Sequence, residues 1–339
     1  TDTLTGIERI YGSEYDDVFT ADGTFSGSNG TFNEFEGQAG DDTITGNGNT
    51  RIGFTFADAG VTVDFGAGTA TGDASVGSDT FSGVIDVRGS AFDDFLTGSS
   101  ADFERFRGQG GNDTIDGGGG IGDRADYSFD PSGVIADLSA GTAADGYGGS
   151  DTLTNIARLR GSAFDDSLTG NSGVNRLEGQ GGNDTLDGKA GGDDLLGGAG
   201  NDTLIGGEGA DTMTGGAGND VFFWRSTAEG TQAPDGQFAG GSDQILDTSF
   251  DAGDIIRLLS NGTGTFENLT AGGPGDKLLA GEFASIAGTF DGANAGGAAI
   301  VVDSTNRVYY DDTGTGYTVI AQVDPGVTLT NSSFEVVAS

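Results

Sequence analysis

Aspartate at a fixed spacing is the main chemical signal of this chain. From Gly179 to Phe223 five nine-residue segments follow one another without a gap: GQGGNDTLD, GKAGGDDLL, GGAGNDTLI, GGEGADTMT and GGAGNDVFF. Each has an aspartate at its sixth position, giving Asp184, Asp193, Asp202, Asp211 and Asp220. Two looser segments precede them, GSAFDDSLT from Gly161 with Asp166 and GNSGVNRLE from Gly170 with Asn175. The shared pattern is G-G-x-G-x-D-x-U-x, where U is large and apolar: Leu168, Leu177, Leu186, Leu195, Leu204, Met213 and Phe222. The glycines allow a tight turn, and x-U-x reads as a short strand with U turned inward. One such strand buries too little to stand alone, so the units must stack, two to a coil. Turns on one side then recur every 18 residues. Because adjacent strands lie about 4.8 Å apart, Asp166, Asp184, Asp202 and Asp220 form one ledge. Asn175, Asp193 and Asp211 form the other. Carboxylates this close repel unless a cation lies between them. Turn carbonyls such as those of Gly179, Gly181 and Asn183 add oxygen donors. A site of about six oxygens suits calcium better than magnesium, which dehydrates reluctantly and needs a strict octahedron.

Composition removes most other chemistry. The 339 residues carry 14 Lys and Arg against 53 Asp and Glu, a net charge of −39, with no His and no Cys. Catalytic triads with histidine, cysteine nucleophiles, thiolate or imidazole metal sites and disulfides are therefore excluded. Lys189 and Lys277, the only lysines, lie in no phosphate-binding loop motif. Nucleic acid and anionic membrane surfaces would repel this chain, whereas hard cations suit it. Its apolar runs are too short to span a bilayer. Gly is 67 of 339 without a three-residue period, which excludes collagen. The 22 Phe and the regularly placed Leu and Ile supply core material that an acidic disordered chain lacks. The chain shows no N-terminal signal peptide, and a start at Thr1 rather than Met is expected of a piece of a longer protein.

A second, longer period of about 71 to 77 residues organises the first half. TDTLTGIERIYGSEYDD (1–17) returns as SDTFSGVIDVRGSAFDD (78–94) and SDTLTNIARLRGSAFDD (150–166). Between copies, 60–70 (GVTVDFGAGTA) and 133–143 (GVIADLSAGTA) alternate apolar and polar residues and predict short strands. Sparser nonapeptides here put Asp17, Asp42, Asp94 and Asp113 at position six. The spacings of 25 and 19 residues read as single coils with a bulged far loop. Asp2, Asp79 and Asp151 extend the same ledge on this reading, since Gly146–Asp151 also fits the turn. The alternative for all of these aspartates is loop capping through backbone N–H groups.

These tandem nonapeptides resemble the RTX, or hemolysin-type, calcium-binding repeats of bacterial secreted proteins. The tight motifs cover 161–223 and looser ones most of the chain. The resemblance implies an all-β parallel β-roll that assembles around calcium, with the position-six aspartates as ligands. It leaves the Asp166 half-site open, because Phe164 stands where the family has glycine, and Asn175 weakens the site it shares with Asp193. The implied organisation is repeat units at 1–76 and 77–148, a β-roll at 149–223, and a C-terminal β cap with an uncleaved secretion signal at 224–339. In that last part, strands are predicted over 298–303, 307–311 and 317–323, with a hairpin turn at 311–316. Asp243 and Asp247 either ligate a last ion or cap a turn. The expected function is an extracellular calcium-binding structural or adhesive module, not an enzyme, of surface-layer or adhesin type, secreted by the type I route and folding on calcium. Its expected partners are calcium, further copies of itself, or a cell surface or polysaccharide. The alternative is the secretion and folding module of an exoenzyme with its catalytic domain upstream.

Overall fold

A computed structural model describes residues 9–21 and 32–224 and, beyond them, a set of strands as far as residue 338. Among the described residues all regular structure is strand, and no helix is long and apolar enough to cross a membrane. The chain divides into two compact units, Thr1–Ser162 and Ala163–Ser339.

The second unit shows the nine-residue logic most simply. Ser167–Thr169, Thr185–Asp187, Thr203–Ile205 and Val221–Trp224 stack in parallel as one wall. Arg176–Gly181, Asp194–Ala199 and Thr212–Ala217 form the other. Leu168 sits opposite Leu186, Leu186 opposite Leu204 and Leu204 opposite Phe222. On the other wall Leu177, Leu195 and Met213 align. All seven of these residues are 0% exposed, so the U register is the core of a β-roll with 18 residues per coil. The walls continue into later strands: Thr212–Ala217 pairs with Asp243–Ile245, and Val221–Trp224 pairs with Ile255–Ser260. The three predicted C-terminal strands are Ala299–Val302, Arg307–Asp311 and Thr318–Val323, paired antiparallel in sequence order. Asp247 and the turn after Asp311 lie outside the described residues.

The first unit has the same two walls with longer coils. One wall aligns the middle residues Ile10, Phe35, Ile52, Val87, Phe106, Ala125 and Leu159 in parallel register. The opposite wall is where the structure departs from a purely parallel roll. Thr62–Asp64 and Thr69–Thr71 form an antiparallel hairpin, as do Ile135–Asp137 and Thr142–Ala144. These are the two alternating segments of the long repeat. Each tip is an Asx turn. Asp64 Oδ1 accepts the Ala67 N–H, and Asp137 Oδ1 accepts the Ser139 and Ala140 N–H groups. Gly68 and Gly141 then take φ of 68° and 69°, where a side chain would be strained. Such a hairpin widens the wall by two strands without lengthening the opposite wall. Phe65, from the first hairpin, packs edge-on to Phe81 and Phe106 between the walls.

Candidate metal centres

Each position-six aspartate enters from the last residue of a glycine turn, directly before a wall strand. Its two carboxylate oxygens have different tasks. Oδ1 accepts the backbone N–H of the position-six residue one coil earlier: Asp166 donates to Asp184, Asp184 to Asp202 and Asp202 to Asp220, at 2.8, 2.8 and 2.9 Å. Asn175 donates to Asp193 and Asp193 to Asp211, both at 2.8 Å. Oδ2 of Asp184, Asp193 and Asp202 is buried with no hydrogen-bond partner. A buried anionic oxygen left unbonded costs free energy unless a cation meets it.

The first glycine of each turn makes room for that oxygen. A Cβ on Gly179 would lie 2.2 Å from Asp184 Oδ2 and 2.6 Å from the Gly197 carbonyl oxygen. Gly197 repeats the arrangement with Asp202 Oδ2 at 2.3 Å and Gly215 O at 2.6 Å. A carboxylate oxygen and a carbonyl oxygen therefore face the space that only glycine leaves open. The position-three carbonyls of Ala199 and Ala217 instead accept inter-coil bonds from Gly182 and Gly200, at 3.0 and 2.8 Å. Among the described residues no three acidic side chains form a compact metal-holding group. An ion here must draw on main-chain oxygens, as calcium readily does.

The first unit builds the same ladder across unequal spacings. Asp17 N–H donates to Asp42 Oδ1 and Asp42 N–H to Asp79 Oδ1, at 2.8 and 3.0 Å. Asp94 N–H donates to Asp113 Oδ1 and Asp113 N–H to Asp151 Oδ1, at 2.9 and 3.0 Å. Asp79 and Asp151 thus join the ledge, whereas Asp2 lies outside the described residues. Only some members keep an open oxygen. Oδ2 of Asp42 and Asp113 is buried and unbonded. Asp17 Oδ2 takes the Ser13 N–H and hydroxyl, Asp94 is bonded by Ser90 and Val61, and Asp151 Oδ2 accepts the Tyr127 hydroxyl. Serine at position two of the turn fills the place that glutamine or glycine leaves open.

A second ledge in this unit was missed by sequence reasoning. Glu104 N–H donates to Asp123 Oδ1 at 2.7 Å, and Asp123 Oδ2 is buried and unbonded. The signal was present, for 99–107 (SSADFERFR) and 118–126 (GGGIGDRAD) keep the nine-residue register once Gly98 and Gly117 are counted as single insertions. Position five was missed too. Its side chain bonds forward, to the next coil: Asp165 Oδ1 accepts from Asn183 N–H, Asn183 from Asn201 and Asn201 from Asn219, at 2.7 to 2.9 Å.

The electrostatics follow from burial. Burial, with the charges of Asp166, Asp202 and Asp165 adding to it, pushes the Asp184 carboxyl up to about 7. Asp193 rises to about 7 and Asp202 to about 6, mainly by burial. In the first unit burial and the charges of Asp151, Asp94 and Asp145 push Asp113 up to about 8. Asp79 reaches about 7 for the same principal reason. The ledges are thus strained as anions and receptive to a divalent cation.

A match to a known repeat agrees with this geometry. The profile described as RTX calcium-binding nonapeptide repeat (4 copies) matches residues 28–50, 100–120, 158–186 and 187–222. No curated protein matches the chain. Among solved structures, a crystal structure of the extracellular lipase LipA from Serratia marcescens is 17% identical with a TM-score of 0.23. That alignment covers 87% of this chain and 45% of that one, so the chain spans less than half the length of the lipase.

Proposed function

The chain belongs to the family of RTX calcium-binding nonapeptide repeats, and from that premise we propose that it is an extracellular calcium-binding module whose fold is completed by the ions and whose task is structural or adhesive. The repeats bind several calcium ions, and proteins that carry them are typically secreted. The observation that supports the reading is the row of buried, unbonded Oδ2 atoms on Asp184, Asp193 and Asp202 beside main-chain carbonyls. Asp42 and Asp113 would hold ions in the same way in the first unit, while Asp94 and Asp151 serve chiefly as ladder acceptors and the Asp17 carboxylate is taken up by Ser13 of its own turn. Ion binding neutralises repulsion along each ledge and stabilises only the folded form.

Asp202→Ala removes an oxygen shared by two successive coils. It is expected to weaken two calcium ions, counted by equilibrium dialysis, while Asn201→Ala loses none. Equal losses in the two variants would refute the nine-residue register of the site. The adhesive part of the reading is tested by light scattering during a calcium titration, where ordered oligomers dissolved by chelator are expected. A compact monomer at millimolar calcium would favour a secretion and folding module of an exoenzyme.

A further inference from the structure

We infer that Asp145, outside the nonapeptide register, creates an additional divalent-cation site with the Gly111 carbonyl at the base of the second hairpin. The inference rests on the calcium-binding reading and adds a site to it.

Asp145 directly follows the hairpin strand Thr142–Ala144, and it lies outside every segment that matches the repeat profile. It is 6% exposed. Its Oδ1 accepts the N–H groups of Tyr147, Gly148 and Gly149 at 3.0, 2.6 and 2.6 Å, which fixes the side chain. Its Oδ2 is buried and has no hydrogen-bond partner. A Cβ on Gly149 would lie 1.7 Å from the Gly111 carbonyl oxygen and 2.9 Å from Asp145 Oδ2, so both oxygens face one small space. Asp113, two residues from Gly111, has a second buried and unbonded Oδ2, and its carboxylate feels the charge of Asp145. Asp151, which the register would nominate for this coil, has both oxygens engaged, by Asp113 N–H and by the Tyr127 hydroxyl. Asp145 supplies the open oxygen that Asp151 lacks.

The first hairpin provides an internal comparison. Gly72 N–H bonds Gly77 O as Asp145 N–H bonds Gly149 O, and a Cβ on Gly77 would meet the Gly40 carbonyl as one on Gly149 meets that of Gly111. The position of Asp145 is therefore held there by Gly72, and Val76, 2% exposed, fills the space beside it. The neighbouring acid, Asp73, bonds Ser75 on the exposed surface. One hairpin base is plugged by an apolar side chain and the other presents an anionic oxygen. A hard cation with oxygen ligands, calcium under extracellular conditions, matches the second.

The test counts calcium bound to the full chain by equilibrium dialysis for wild type, Asp145→Asn and Asp73→Asn. Asparagine keeps the Oδ1 acceptor that orders 147–149 and replaces only the open oxygen, so the turn is retained. The expected result is one ion fewer per chain in Asp145→Asn and an unchanged count in Asp73→Asn. As a check that requires no change at Asp145, terbium emission excited through tyrosine should fall in Tyr147→Phe, because the Tyr147 ring packs against Gly110, next to Gly111, and the Tyr147 N–H bonds Asp145. An Asp145→Asn count equal to wild type, or terbium emission unaltered by Tyr147→Phe, would overturn the inference. A wild-type chain that binds no calcium would instead overturn the calcium-binding reading itself.

Discussion

The two units use one coil geometry but balance charge differently. Between residues 163 and 223 the acidic side chains have only Arg176 and Lys189 to offset them. In the first unit, one outer wall carries a lattice of arginines and acids. Glu34 takes Arg9, Arg51 and Arg88, while Asp86 takes Arg51, Arg105 and Arg107. Asp126 takes Arg107 and Arg124, both at 3.1 Å. Phe129 lies over Arg88 and Arg107, and Phe103 over Arg105, Arg124 and Arg158. Burial opposes the Asp126 charge, yet Arg107, Ser128 and Arg124 outweigh it and hold that carboxyl down at about 2. A carboxylate buried beside arginine is satisfied within the chain, whereas one buried beside other carboxylates needs an ion. The difference teaches that one fold can be held by resident cations on a wall and by solvent cations at its corners.

Chelation should separate the units most strongly. With calcium removed, amides of 163–223 are expected to exchange hydrogen fast, while those of 86–88, 105–107 and 124–126 keep protection, read by mass spectrometry of peptides. Uniform loss across both regions would dissolve the distinction. Next in size is Asp86→Ala, which leaves the buried Arg51 and Arg107 and the half-buried Arg105 each short of a partner. Breaking such a buried pair costs about 3–5 kcal/mol, and the loss should appear as a lower melting temperature even in saturating calcium.

Acidification sharpens the contrast through its sign. The ledge aspartates have folded values of about 6 to 8 against an ordinary 3.8, so the calcium-free fold binds more protons than the unfolded chain. Their stabilising protonation is complete below the ordinary value and is lost as pH rises through 6 to 8. Asp126 behaves oppositely, with a contribution present above 3.8 and lost as pH falls through about 2. Chelated protein should therefore gain β circular dichroism between pH 8 and pH 5, values bracketing the ledge range. A chelated spectrum that does not change over that interval would contradict the charge balance proposed for the ledges. The smallest effect is expected from Asn201→Ala, which deletes one exposed forward bond to Asn219. It should cost roughly 0.5–1.5 kcal/mol or less, measured by thermal melting, with the calcium count intact.

The sequence made the core and its register legible because a nine-residue spacing with one inward residue has a single stacked solution. Leu168 through Phe222 followed from that alone. The hairpins at 62–71 and 135–144 were visible as strands but not as antiparallel insertions, because alternation says nothing about which neighbour a strand pairs with. Glu104 and Asp123 escaped because Gly98 and Gly117 break an ungapped count. The arginine wall escaped for a different reason. Arg51, Asp86 and Arg124 are far apart in sequence, and only the register places them in one column. The occupancy of Oδ2 by Ser13, Ser90 or Tyr127 depends on side-chain geometry that spacing does not encode.

The ladder also works as punctuation. Asp17, Asp42 and Asp79 are 25 and 37 residues apart, yet each coil returns its carboxylate to the backbone N–H of the last. An insertion is therefore absorbed within the coil that receives it, and everything downstream stays in frame. A lineage carrying such a chain can lengthen it by duplication, or splice a new loop into it, without rewriting the rest. The hairpin tips at Ala67 and Ala140, beyond the reach of that ladder, are where foreign peptide can be displayed with least disturbance.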